Sequence, residues 1–159
     1  MREINSIVDG SNVAFFRRNP SGKPMMQNLL MIMEYLEKKK LTLRFSYEII
    51  VDASLKYQID DKATLSEEIK KGKILECPSR MKADTFIMEY YNADPKTTII
   101  ISNDNYKDEG FVAENGWSLC KFMIIGQKVI IPAFNAAETR VSGSVNNQMT
   151  SNEVPADGL

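Results

Sequence analysis

The stretch that decides the fold is Thr97-Thr98-Ile99-Ile100-Ile101, which runs directly into Ser102-Asn103-Asp104-Asn105. Consecutive β-branched residues predict a strand buried on both faces, as found in the middle of a parallel sheet. The chain turns polar where this strand ends. Asp104 should therefore lie at the carboxyl edge of the sheet, where open α/β sheets bind their ligands. Asp108 follows Asp104 closely enough that one helical turn would bring both carboxylates to the same side.

The remainder of the chain alternates between strand and helix patterns, which is typical of an α/β domain with a mostly parallel sheet. We predict strands at residues 3–8, 43–51, 73–77, 97–101, 117–125 and 128–131. Helices are predicted at residues 25–38, 64–71, 84–92 and 106–114. The capping-box pattern Thr64-Leu65-Ser66-Glu67 marks the start of the second helix, and Gly72 marks its end. Gly126-Gln127 suggests a hairpin between the last two strands.

Length and composition predict a single folded domain over residues 1–134 of the 159-residue chain. Residues 135–159 contain few large apolar side chains and predict a disordered or loosely attached tail. We find no signal peptide pattern and no apolar run long enough to span a bilayer, so we expect a cytoplasmic protein with no membrane partner. Cys77 and Cys120 should be buried free thiols. The sequence leaves the oligomeric state open, including a homodimer.

The chain contains no histidine, which excludes several classes of catalytic site. Ser-His-Asp and Cys-His nucleophiles, paired-histidine cleavage of RNA and HExxH zinc sites are all ruled out. Any hydrolysis must therefore depend on carboxylates, acting through a metal ion. The net charge of −1 and the isoelectric point near 5.6 argue against strong nonspecific binding of nucleic acid. A local basic rim beside an acidic site remains compatible with both values.

Four predicted strands end in an acid or in a loop that leads to one: Asp9, Asp52, Asp84 and Asp104. In a doubly wound sheet these strand ends meet at one edge. Clustered carboxylates repel each other and raise their own pKa values unless a cation lies among them. Mg²⁺ and Mn²⁺ prefer such oxygen ligands and suit hydrolysis of phosphate esters.

Each of these residues also has an ordinary structural interpretation. Asp84 could be a helix N-cap, and Asp108 could be a solvated acid in a first helical turn. Asp52 could be a turn residue, and we keep it outside the core set. Asn12 could form an ordinary Asx-turn. All of these residues nevertheless fall at the same predicted edge, which favours a shared site.

Two longer motifs carry a family resemblance: Ile7-Val8-Asp9-Gly10-Ser11-Asn12-Val13-Ala14 and Ile101-Ser102-Asn103-Asp104-Asn105-Tyr106-Lys107-Asp108. They resemble the signature motifs of NYN-domain ribonucleases of the Regnase (Zc3h12a-like) type, within the PIN superfamily. Between them, Cys77-Pro78-Ser79-Arg80 and Ala83-Asp84-Thr85-Phe86-Ile87 resemble the segment that supplies the remaining acid of that family. The similarity spans residues 4–132.

The resemblance implies a Rossmann-like PIN fold, with a central, mostly parallel sheet flanked by helices. It also implies an endoribonuclease that depends on Mg²⁺ or Mn²⁺. The implied metal ligands are Asp9, Asp84, Asp104 and Asp108, while Asn12 would position Asp9 or a water on the metal. This chain departs from the pattern at Ala83, because Regnase-type enzymes often have two adjacent acids there. No Cys/His zinc finger accompanies the motifs.

RNA is the partner that this resemblance implies. Five cations adjoin the proposed ligands in sequence and could bind backbone phosphates: Arg17, Arg18, Arg80, Lys82 and Lys107. Two other functions stay open. A degenerate PIN-like module could hold RNA or a protein without cleaving, which Ala83 and the acidic isoelectric point would favour. A phosphohydrolase acting on small phosphate esters would need a closed pocket, whereas a nuclease needs an open groove with basic edges.

Overall fold

A computed structural model describes residues 3–143 and contains a five-stranded parallel sheet. Its strands are β1 (Ile4–Asp9), β2 (Phe45–Val51), β3 (Leu75–Glu76), β4 (Thr98–Ile101) and β5 (Leu119–Cys120). They lie in the order β3-β2-β1-β4-β5. A separate antiparallel hairpin joins β6 (Met123–Ile125) to β7 (Lys128–Ile130). The predicted α/β fold and the hairpin are confirmed.

The helices are α1 (Gly10–Ala14), α2 (Met26–Lys39), α3 (Leu55–Gln58), α4 (Lys62–Lys70), α5 (Ala83–Ala93) and α6, which begins at residue 132 and is described to residue 143. A short 3₁₀ helix covers Lys107–Glu109. None of the helices within residues 3–143 is both long and apolar enough to cross a bilayer.

The central strands are buried on both faces, which is why they consist mainly of branched apolar residues. Val8 pairs with Ile49 and Ile101 in the register of the sheet, and all three pack in the larger core cluster. Ile7 points the other way, into a smaller cluster that includes Ile87 of α5. Side chains alternate along a strand, so Asp9 faces the same side as Ile7, toward α5.

Gly10 lets the chain enter a helix directly after β1. A Cβ atom at this position would lie 2.7 Å from Val51 Cγ1 and 2.9 Å from the Ile50 carbonyl oxygen. Real Cβ atoms do not approach backbone this closely, so only glycine allows α1 to pack against the end of β2. The chain directly after β1 is thus a short helix, with Asp9 as its N-cap.

Two helix predictions need correction. The helix predicted to begin at Thr64 is α4, and its N-cap is Asp61. The Asp61 carboxylate accepts from the Thr64 backbone N–H, so the Thr64 capping box is not used. Gly72, with φ of 75°, follows the helix as predicted. The predicted helix at residues 106–114 is only the 3₁₀ turn, because Tyr106 and Gly110 on either side of it both have left-handed backbone conformations.

The segment after residue 134 differs from the predicted loose tail as far as residue 143. Residues 132–143 are helical, and Glu138 binds both the Lys39 ammonium and the Thr42 hydroxyl. Arg140 stacks 4.6 Å from the ring centre of Trp117. α6 is thus held by polar contacts with α2, the following loop and Trp117, and by Phe134, which is buried in the larger core cluster. The tail prediction for residues 144–159 falls outside the described residues.

Candidate active site

Asp9 is a buried acid, with only 4% of its surface exposed, at the carboxyl end of the central strand. One carboxylate oxygen, Oδ1, accepts from the Asn12 backbone N–H at 3.1 Å. The other, Oδ2, accepts from the Tyr106 hydroxyl at 2.6 Å and from Ser102 Oγ at 3.4 Å. Burial raises the pKa of Asp9, and the hydrogen bonds from Tyr106 and Asn12 offset part of that rise.

Asn12 joins the first motif to the second. Its side-chain oxygen accepts from the Asn103 backbone N–H at 3.0 Å, while its own backbone N–H holds Asp9. Asn103 in turn is fixed to the segment that follows β5, because its side chain donates to the Phe122 carbonyl and accepts from the Phe122 N–H. Asn12 therefore positions Asp9 through the main chain and positions the Asp104 loop through its side chain.

Asp104 lies on an exposed loop that is fixed from two directions. Its Oδ1 accepts from the Tyr106 backbone N–H at 2.7 Å, and its own N–H donates to Ser102 Oγ at 3.1 Å. The Lys121 ammonium donates to the carbonyl oxygens of Asn103 and Asp104 and to Asn105 Oδ1. The loop backbone is thus held in place, while the Asp104 side chain faces solvent.

Asp84 lies in the first turn of α5 and faces the other acids. Burial raises its pKa to about 6, and repulsion from Asp9, Glu109 and Asp104 adds to that rise, as does a hydrogen bond with Glu109. Asp84 is not the cap of α5. The N-cap position is Lys82, and the first helical N–H, from Ala83, instead donates to Asp52 Oδ1 at 2.7 Å. Asp52 also raises the pKa of Asp9, so it belongs to the acidic edge.

Two open recesses meet at Asp84. The cationic recess, of about 480 Å³, is lined by Asp52, Ala53, Ser54, Arg80, Met81, Lys82 and Asp84. The acidic recess, of about 420 Å³, is lined by Asp84, Asn103, Asp104, Asn105, Lys107, Asp108 and Glu109. Both recesses share Asp84, and each of them is lined by carboxylates and by at least one cation.

The predicted phosphate-binding cations divide into two groups. Arg80, Lys82 and Lys107 line the recesses. Arg17 donates to the Gly126 carbonyl in the β6–β7 hairpin, and Arg18 donates to the Gly22 carbonyl. The structure therefore brings the first group beside the acids, while the guanidinium groups of the second group bind the protein's own backbone.

The sequence model of the family described as the Zc3h12a-like ribonuclease NYN domain matches residues 3–150. The chain belongs to this family. The match confirms the resemblance carried by the two motifs, and it makes the domain a member of a ribonuclease family. It also extends beyond residue 134, through most of the segment that we expected to be loosely attached.

Solved structures similar to this NYN domain include two of the nuclear proteinaceous RNase P 2 from Arabidopsis thaliana. The first has a TM-score of 0.59 at 16% identity, over 81% of this chain and 29% of the other. The second has a TM-score of 0.57 at 16% identity, over 82% of this chain and 30% of the other. The chain thus spans less than a third of those proteins, and at this identity the likeness concerns the fold. No curated protein sequence matches the chain.

The acids of the NYN domain fit a hard divalent cation in donor type and in charge. All are oxygen donors, and none of the ion pairs found within residues 3–143 neutralises them. As the side chains are placed, no three acids or thiols in that range stand close enough to hold an ion. Asp108 and Glu109 are exposed, so they can turn toward an ion by changing rotamer, while Asp104 is exposed and bound to the Tyr106 N–H through Oδ1 alone, which leaves Oδ2 for an ion.

Three residues of the site were not identified from the sequence. Tyr106 falls within a segment with an ordinary helix pattern, and Lys121 lies far along the chain from the loop that it fixes. Glu109 directly follows Asp108, and an acid beside a predicted ligand was the one signal that could have pointed to it.

In the described region, the non-glycine residues with positive φ are Arg80 and Tyr106, and both are at the site. Backbone strain of this kind clusters at functional sites.

Asp84→Asn is expected to stabilise the metal-free protein at neutral pH but not at low pH. The folded pKa of about 6 exceeds the unfolded value of about 3.9, so the charged form costs stability. That cost is fully present above the folded pKa and vanishes as the pH falls below the unfolded one. After allowance for solvent screening we expect a gain of about 1 kcal/mol at pH 7.5, or roughly 2–4 °C in Tm.

Thermal melts in EDTA at several pH values measure this gain. Asp61→Asn is the matched control, because hydrogen bonds from Thr64 lower the pKa of that acid. Its contribution to stability has the opposite sign, so this variant should not gain at neutral pH. An Asp84→Asn gain that was equally large at pH 4 would contradict an electrostatic origin.

Proposed function

We propose that this chain is a divalent-metal-dependent endoribonuclease that cleaves single-stranded or structured RNA. The observation that carries the proposal is that the buried Asp9 lies near enough to Asp84 and Asp104, which line the open acidic recess, to repel them, and that none of the ion pairs found within residues 3–143 neutralises these acids. Membership of a ribonuclease family supports the choice of RNA. Both recesses are open to solvent, which suits a polymer better than a small phosphate ester.

Asp9, Asp84, Asp104 and Asp108 are the residues that would hold Mg²⁺ or Mn²⁺. When bound, such an ion activates water and stabilises the charge that develops on the phosphate oxygens. The protein's own contribution is to hold the carboxylates with few degrees of freedom. Asp9 is fixed by hydrogen bonds to both of its oxygens, and the Asp104 backbone is fixed by Ser102 and Lys121.

The RNA backbone would cross Asp84 from one recess to the other. Arg80 and Lys82 would bind phosphates on one side, and Lys107 would bind them on the other. The N-terminus of α5 contributes less than a free helix end would, because its first backbone N–H, from Ala83, already donates to Asp52. Phosphate binding at this edge therefore depends mainly on side-chain cations.

A circular single-stranded RNA is the substrate that tests this function, because it offers no end to an exonuclease. Incubated with the protein and Mg²⁺ or Mn²⁺, the circle should be linearised and then shortened. Asp104→Asn, purified in the same way, controls for contaminating nuclease. A circle that stayed intact with every divalent ion would refute the endonuclease assignment.

A binding module without cleavage is the second candidate function. The observation that favours it is Ala83, a side chain with 1% exposure at the place where the family often has an additional acid. The same circular RNA separates the two functions. A module would retard the circle in a native gel and leave it intact, whereas an enzyme would also cut it.

Arg80→Ala combined with Lys82→Ala is expected to weaken RNA binding more than it slows turnover. Each lost phosphate contact lowers the salt slope for a single strand by about 0.7, so the pair should lower it by about 1.4. We expect KM to rise roughly tenfold, since each lost charged contact weakens binding by several-fold. The measurement is KM and kcat at several salt concentrations.

Lys38→Ala combined with Lys40→Ala is the matched control for that experiment. It removes the same charge from the C-terminal end of α2. The chain runs from there to the start of β2, so these lysines belong to the amino edge of the sheet, opposite the carboxyl edge that holds the acids. Equal changes in salt slope for the two double variants would show that the RNA follows another path.

A further inference from the structure

Tyr106 is bonded to two of the site acids at once. Its hydroxyl donates to Asp9 Oδ2 at 2.6 Å, and its backbone N–H donates to Asp104 Oδ1 at 2.7 Å. Asp9 ends the central strand β1, whereas Asp104 lies on the loop after the neighbouring strand β4. One residue therefore fixes the distance between carboxylates from two different strands.

The backbone of Tyr106 has an unusual conformation, which allows its hydroxyl and its N–H to bind the two acids at the same time. Its φ of 52° and ψ of 33° are left-handed, which L residues with large side chains rarely adopt. The conformation turns the side chain inward, where it is fully buried. Its ring packs edge-on to Phe111 at 6.4 Å, and the Phe111 N–H donates to its carbonyl oxygen. The surrounding contacts thus hold a conformation that is intrinsically unfavourable.

Ser102 closes the network between the two acids. Its hydroxyl donates to Asp9 Oδ2 at 3.4 Å and accepts from the Asp104 backbone N–H at 3.1 Å. The Tyr106 hydroxyl is the shorter of the two contacts to that oxygen. Oδ2 of Asp9 is therefore held mainly by Tyr106, with Ser102 as a weaker support, while the Asn12 backbone N–H holds Oδ1.

We propose that Tyr106 is a positioning residue that holds Asp9 and Asp104 at the spacing needed for phosphodiester cleavage. This role rests on the proposed function. Tyr106 is buried beneath the acids and does not reach the RNA, so it acts only through them. A neutral hydroxyl donor orients a carboxylate without cancelling its charge, which leaves the charge available to a cation. Preorganised carboxylates need not be reordered during the reaction.

Tyr106→Phe tests the proposal, because it removes the hydroxyl and keeps the ring. Tyr91→Phe is the matched control: Tyr91 is also buried and packs edge-on to Phe111, at 5.1 Å. Its hydroxyl bonds Ser118 and the Glu114 backbone N–H and touches none of the site acids. A merely structural role for Tyr106 would make the two variants behave alike.

We expect Tyr106→Phe to lower kcat about 10- to 100-fold, the usual effect of losing a residue that orients a ligand, with KM for RNA unchanged. Tyr91→Phe should keep the wild-type kcat. Replacing Tyr106 with p-aminophenylalanine, which retains a donor at the same place, should restore most of the turnover. Equal kcat values for the two phenylalanine variants would overturn the proposal.

Backbone amide hydrogen exchange at residues 103–109, without metal or RNA, gives a readout that does not depend on cleavage. Tyr106→Phe should accelerate exchange there about tenfold, because one hydrogen bond to a charged group is lost, and Tyr91→Phe should not. If the wild-type protein cleaved no RNA, the proposed function would fail, and exchange alone would decide the positioning role. Equal exchange in the two variants would then overturn it.

Discussion

Asp9→Asn is expected to lower RNA cleavage by roughly 10³-fold or more while leaving the metal-free protein at least as stable as the wild type. Removing the charge of a metal ligand costs about 4 kcal/mol of transition-state stabilisation, which corresponds to that factor. The fold should not suffer, because burial raises the pKa of Asp9 and makes its charged form unfavourable in the folded state. Asparagine also remains a good N-cap for α1.

The matched control is Asp61→Asn, which makes the same chemical change at the N-cap of α4. Single-turnover rates and thermal melts of both variants provide the measurement. Asp61→Asn should cleave like the wild type. Wild-type turnover in Asp9→Asn would remove the central acid from the mechanism.

Removing divalent ions with EDTA is expected to reduce cleavage to background, and adding Mg²⁺ or Mn²⁺ should restore it. The same ions should raise the Tm of the wild-type protein, because an ion that binds only the folded state stabilises it by about 2.7 kcal/mol at roughly a hundredfold excess over Kd. The ion relieves repulsion among Asp9, Asp84 and Asp104, so the rise should be much smaller in Asp9→Asn.

These two measurements separate cleavage that needs a metal ion at the acidic edge from cleavage by side chains alone. Cleavage that persisted in EDTA would contradict the metal assignment directly. An equal rise of Tm in the wild type and in Asp9→Asn would show that the ion binds elsewhere on the chain.

The fold could be predicted from the sequence because its main signals are local. The β-branched run at residues 97–101 and the apolar end of the second strand each predict a buried parallel strand without reference to other parts of the chain. The position of Asp9 and Asp104 at one edge then follows from the parallel order of the strands. Asp84 joins them because α5 packs against the face of the sheet that Asp9 also faces.

The residues that complete the site depend on contacts between distant parts of the chain. Tyr106 leaves the predicted helix because its hydroxyl bonds Asp9, a residue of another strand. Lys121 follows β5, yet it fixes the Asp104 loop, which comes much earlier in the chain. Glu138 of α6 binds Lys39 and Thr42, whereas composition alone indicated a loose tail from residue 135. No local pattern carries these pairings.

The position of a bound Mn²⁺ ion tests the central claim most directly. Crystals of the protein grown with Mn²⁺ would locate the ion by its anomalous scattering, independently of any RNA. We predict an ion at the carboxyl edge of the sheet, held by oxygens of Asp9, Asp84 and Asp104 either directly or through its bound waters. An ion bound away from Asp9, in a protein that still cleaved RNA, would contradict the assignment of the acidic edge as the metal site.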